Sequence, residues 1–142
     1  MNLIEDHEKR IASAIKSFRG CNKLDIIYGT RVDLEAKINA AVASLGLGVT
    51  VAITGGEIPE PKDSAAWDVL IVVFENTLAN RDKSVEHFQC TKIATEICAR
   101  FKSDPALNVN PLRLTVLEAE KSYVIEIKAT TLVELEALED CE

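Results

Sequence analysis

Proline and glycine are scarce in this chain of 142 residues, with four Pro and six Gly, which argues against a disordered segment. Histidine is scarcer still: only His7 and His87 are present. Neither has a second His or a Cys at the spacing of a zinc motif, so no functional metal is expected. His87 and Cys90 are three apart on one expected helix, but two ligands on one turn do not complete a site. The four cysteines, Cys21, Cys90, Cys98 and Cys141, form no C-x-x-C pair. A chain of this length can bury a full core without covalent staples, so four reduced thiols are expected. Cys90 and Cys98 read as small core or boundary residues. Basic residues are outnumbered, 16 Lys and Arg against 23 Asp and Glu, for a net charge of −7. A nucleic-acid binder that relies on phosphate contacts needs the opposite balance. No apolar run approaches the ~20 residues that span a bilayer. The longest, Val69–Phe74, suits a buried strand. The charged stretch Glu5-Asp6-His7-Glu8 leaves no apolar h-region near the start, so a cytosolic chain is expected.

What is present is periodicity. Residues 2–18 carry Ile4, Ile11, Ile15 and Phe18 at spacings that hold one helical face, with Gly20 as the stop. Residues 24–28 are too short to assign. A second helix is expected from Thr30, where Thr30 and Asp33 resemble a capping box, with a stripe of Leu34, Ile38, Ala41, Val42 and Leu45. Gly46 and Gly48 end it. Val49–Ile53 reads as a strand. Thr54–Ala65, with Gly55-Gly56, Pro59 and Pro61, reads as a long turn or loop. Trp67–Glu75 is apolar at both parities, the pattern of a strand covered on both faces or buried by a partner. Asn76–Lys83 is polar. Ser84 caps a helix to about Lys102, with Cys90, Ile93, Ala94, Ile97 and Phe101 as its stripe and Asp104-Pro105 as its terminator. Two alternating strands close the chain, one through Leu112, Leu114 and Val116, the other through Tyr123, Ile125, Ile127 and Ala129. Glu120-Lys121 forms the turn between them.

The expected architecture is a single α+β domain over residues 1–142. Its element order is α-α-β-β-α-β-β, with a mainly antiparallel four-stranded sheet and helices on one face. An acidic tail runs from about Glu134, holding Glu136, Glu139, Asp140 and Glu142.

No catalytic constellation emerges. There is no G-x-S-x-G elbow, and Cys90 with His87 is the only local thiol–imidazole pair. Gly55-Gly56 follows a strand but lacks the Lys-Ser/Thr of a phosphate loop, so a turn requiring positive φ is the expectation. Glu57 and Glu60 lack an EF-hand pattern and read as solvated carboxylates. Trp67 reads as a sheet-packing residue. On the helix that begins near Ser84, Val85 and Phe88 fall opposite the core stripe. With Arg81 and Lys83 just before them, they form a candidate subunit contact.

The order of these elements resembles that of the tail-terminator, or tail-completion, proteins of long-tailed bacteriophages and related contractile assemblies. The N-terminal helix, the Pro/Gly-rich hairpin, the Trp67–Glu75 strand, the 84–102 helix and the closing hairpin at 112–133 carry the resemblance. It implies a structural protein without cofactor or catalysis. Such a protein forms a ring, usually a hexamer, that caps the tail tube and docks the head connector, first in the host cytoplasm and then in the virion. An acidic lumen would let DNA pass without adhering. The alternative is a small non-catalytic regulatory or ligand-binding α+β module, since fold alone does not decide function.

Overall fold

The computed structural model describes residues 3–21, 24, 26–28, 47–57, 64–76, 89–118 and 122–134. Helix α1 spans Leu3–Ser17. Strands β1 (Ile26–Tyr28), β2 (Leu47–Glu57) and β3 (Ser64–Asn76) follow. Helix α2 (Gln89–Ser103) leads through a 3-10 turn at Pro105–Leu107 to β4 (Asn110–Glu118) and β5 (Ser122–Glu134). The chain is α+β, as expected, with two differences. Among the described residues the sheet has five strands in the order β1-β2-β3-β5-β4, and it is mixed, because β1 pairs with β2 in parallel. A three-residue strand carries too little periodicity to be read locally. Its pairing, Ile26 with Val49, joins segments far apart in sequence. The expected second helix over 30–45 lies outside the described residues.

The core forms where one strand parity meets two helical stripes. Val49, Val51 and Ile53 of β2 stand opposite Val73, Ile71 and Val69 of β3, which in turn oppose Ile125, Ile127 and Ala129 of β5. All nine are buried, and Ile11 and Ile15 of α1, with Phe18 just past its end, join them from the same face as Cys90, Ile93, Ala94, Ile97 and Phe101 of α2. Helix α1 covers β1 and β2, while α2 covers β3, β5 and β4. Phe18 and Phe101 close the seam between the helices edge to face, with ring centroids 5.3 Å apart. Each fully buried aliphatic side chain here contributes about 1.5–3 kcal/mol of transfer free energy.

The helix ends follow their local chemistry. Glu5 and Asp6 lie in the first turn of α1 and Lys16 in its last; Arg100 and Lys102 lie in the last turn of α2, each sign matching the helix dipole. Asp104 and Pro105 stop α2 as expected. The Asp104 side chain accepts from the Ala106 N–H at 3.1 Å, and Asn108 takes the left-handed conformation at φ 56°.

The glycines depart from expectation. Gly48 does not end a helix, and Gly55 and Gly56 are not in a turn: all three lie within β2, which runs on to Glu57. Gly55 and Gly56 oppose Asp68 and Trp67, past an irregularity at Thr54. Neither adopts positive φ; what Gly56 provides is space, whereas a Cβ on Gly55 would meet only an ordinary contact with Asp68. A Cβ on Gly56 would lie 2.9 Å from both the Ala66 carbonyl oxygen and Trp67 Cδ1, and one on Gly48 would lie 2.5 Å from Phe74 Cζ. The expected long loop is therefore shorter, since β3 already begins at Ser64. Ile4, expected on the buried face of α1, is exposed.

Candidate functional site

Two features stand apart from ordinary core packing. The first is a polar cluster under the N-terminal half of α1. Helical spacing puts His7, Glu8, Ile11 and Ile15 toward the sheet, so a carboxylate and an imidazole enter the apolar interface. Glu8 is fully buried, and the Ile53 N–H, beside the β2 irregularity, donates to its Oε2 at 2.7 Å. That bond satisfies a backbone donor at the last residue before the ladder shifts. Arg10 Nη1 donates to the Leu107 carbonyl at 2.7 Å and Nη2 to Thr131 Oγ1 at 3.2 Å. Thr131, itself buried, donates onward to the Asn108 carbonyl at 2.5 Å, and Asn108 Nδ2 donates to the Leu132 carbonyl at 2.6 Å. Desolvation lowers the Arg10 pKa, but a guanidinium stays protonated. The cluster thus bolts α1 to β2, β5 and the turn after α2.

His7 completes it. Its ring meets Trp67 edge to face, with centroids 5.7 Å apart. Its Nδ1 is buried and has no hydrogen-bond partner. Burial lowers the His7 pKa from 6.5, the Arg10 charge lowers it further, and Asp6 opposes both. The sequence holds a signal for this cluster: Glu8 sits between Ile4 and Ile11 in an otherwise apolar stripe.

The second feature is the sheet edge. Strand β4 is terminal in the sheet, and among the described residues nothing pairs with its outer side. Leu114 and Val116, although on the helix-bearing face opposite Ile127 and Ile125, are 42% and 47% exposed. Leu117 is also exposed, as is Leu112, the extra residue in the register shift between Pro111 and Arg113. Pro111, the bulge and Arg113 blunt the first half of the edge against unwanted pairing, whereas Leu114–Leu117 carries no charge.

Burial disfavours the thiolate at each of the three described cysteines. Cys21, Cys90 and Cys98 are free, the first two buried. Burial, aided by Glu96, pushes the Cys21 thiol up to about 11; burial, aided by Glu75, does the same for Cys90. Cys98 is raised by burial, with Lys102 opposing. Thiols held above neutral pH are poor nucleophiles. Cys141 lies outside the described residues. Among the described residues no three His, Cys, Asp or Glu side chains converge to hold a metal, and no helix is long and apolar enough to cross a membrane. The candidate contact residues Arg81, Lys83, Val85 and Phe88 lie outside the described residues, as do His87 and the acidic residues beyond Glu134. Compared with known families and with curated proteins, the chain matches no family model and no curated protein.

Proposed function

We propose that this chain is a non-catalytic structural subunit that assembles with copies of itself into a ring, in the manner of a phage tail terminator that caps a tail tube and docks the head connector. The observation that carries the proposal is strand β4, which among the described residues has no partner on its outer side and whose Leu114, Thr115, Val116 and Leu117 form an uncharged stretch with three exposed apolar side chains. A lone exposed leucine is unremarkable, but an edge strand with Leu114 and Val116 exposed on one face and Leu117 on the other is a template for a partner. A ring uses heterologous contacts, so one such patch recurs at every joint. The raised thiols of Cys21 and Cys90 and the net charge of −7 also suit a role in which the surface, not bond-making chemistry, does the work.

Negative-stain microscopy of the purified chain, alone and mixed with tail-tube subunits, tests the proposal. Closed rings, or tubes capped at one end, are expected. A chain that stays monomeric under both conditions would contradict it. Phe88→Glu adds a separate arm: loss of rings in a folded protein assigns the residues around Arg81, Lys83, Val85 and Phe88 to the joint, and intact rings remove them from it.

A further inference from the structure

We propose that the His7–Trp67 contact is a proton-sensitive latch that holds the N-terminal half of α1 on the end of the sheet. Three observations meet at this point. The half-buried imidazole and the Trp67 ring meet edge to face, 5.7 Å between centroids. Its Nδ1 is buried without a partner. Its neighbours in the same helical turns, Glu8 and Arg10, make the hydrogen bonds to Ile53, Leu107 and Thr131 that dock this segment. A neutral ring needs only one donor and tolerates an unmet acceptor. A protonated ring places a second N–H, and a positive charge, where Nδ1 has nothing to bond.

The electrostatic surroundings act in the same direction. Among the described residues the charged groups that act on His7 are Arg10, which disfavours the imidazolium, and Asp6, which favours it; both belong to α1. From β3 the contact is Trp67, which carries no charge. Desolvation is the largest influence, and the folded-state pKa lies below 6.5. The sign follows from linkage. A histidine whose pKa is depressed in the docked state binds its proton more readily when released. The docked form is therefore fully favoured above about pH 6.5 and loses that advantage as pH falls toward the folded pKa, by up to about tenfold per pH unit. Glu8 and Arg10 lie within a turn of His7, so release of this segment would also break their bonds to Ile53, Leu107 and Thr131, exposing Trp67 and the end of β2 while the rest of the core stays packed.

Trp67 is the only tryptophan, so its emission reports the latch directly. The experiment follows emission maximum and acrylamide quenching from pH 7.5 to 5, with far-UV circular dichroism in parallel. A red shift and several-fold greater quenching below pH 6.5 are expected, with most of the helical signal retained. His7→Phe, which keeps an aromatic edge but cannot titrate, removes the transition, and His87→Gln keeps it. Should His7→Phe fail to fold, His7→Gln serves in its place. Emission that does not change in the native chain, or the same transition in a folded His7 variant, would overturn the proposal.

Discussion

Strands β3 and β4 are both rich in branched apolar residues, yet they are used in opposite ways. In β3, Val69, Ile71 and Val73 are fully buried under the helices, with β2 on one side and β5 on the other. In β4, Leu114 and Val116 occupy the same face of the same sheet and stay more than two-fifths exposed. Alternation separates the two strands in part, β3 being apolar at both parities and β4 alternating, but it does not fix which apolar side chains stay exposed. Their positions in the sheet do, one central and one at the edge. Apolar area at the centre is consumed by folding, whereas apolar area left at an edge remains for association. A substitution in β3 should therefore be read in stability, and one in β4 in assembly.

The largest expected effect tests the central strand. Ile71→Ala removes a fully buried side chain and should cost about 2–5 kcal/mol in denaturant unfolding. A loss below about 1 kcal/mol would mean that β3 is not the centre of the core. Next comes the bolt beneath α1. Glu8→Ala leaves the Ile53 N–H at the β2 irregularity without this acceptor, and about 1–3 kcal/mol should be lost, with Glu8→Gln retaining part of it. A smaller effect concerns the opposite face of β3. Val72 is half-buried there, so Val72→Thr should cost less than Ile71→Ala. Equal losses would erase the distinction between the two faces. Smallest of all is the expected reactivity of the thiols. At pH 7.5 native Cys21 and Cys90 should be alkylated far more slowly than the same thiols in denaturant, because burial disfavours their thiolates. Equal rates would place them at the surface.

Much of this arrangement is legible in the sequence where it depends on local periodicity. The stripe from Cys90 to Phe101, the stop at Asp104-Pro105 and the alternation of β5 all answer to neighbours within a few residues. What escapes is set by distant partners. The parallel pairing of β1 with β2 rests on three residues whose register is fixed by Val49–Val51. Gly55 and Gly56 suggest a turn by type, but both lie inside a strand, and Gly56 is needed there because Trp67 and the Ala66 backbone approach too closely for a side chain. Ile4 is periodic with the buried stripe yet exposed, because the stripe's contact with the sheet ends at Glu8. The polar cluster joins His7, Glu8 and Arg10 to residues in β2, β3 and β5. Only the intrusion of Glu8 into an apolar stripe signals it in advance. The exposure of β4 was not legible at all, because an edge is a property of the whole sheet.

The central claim is that the apolar edge of β4 serves association and not folding. Its most direct test is the molar mass of native and Val116→Lys proteins by light scattering, with thermal unfolding of each. Val116 is 47% exposed, so the substitution should change stability by no more than about 0.5 kcal/mol. The account predicts a multimer for the native chain and a folded monomer for the variant. A Val116→Lys protein that keeps the native mass, or a native chain that is itself monomeric at all concentrations, would contradict it.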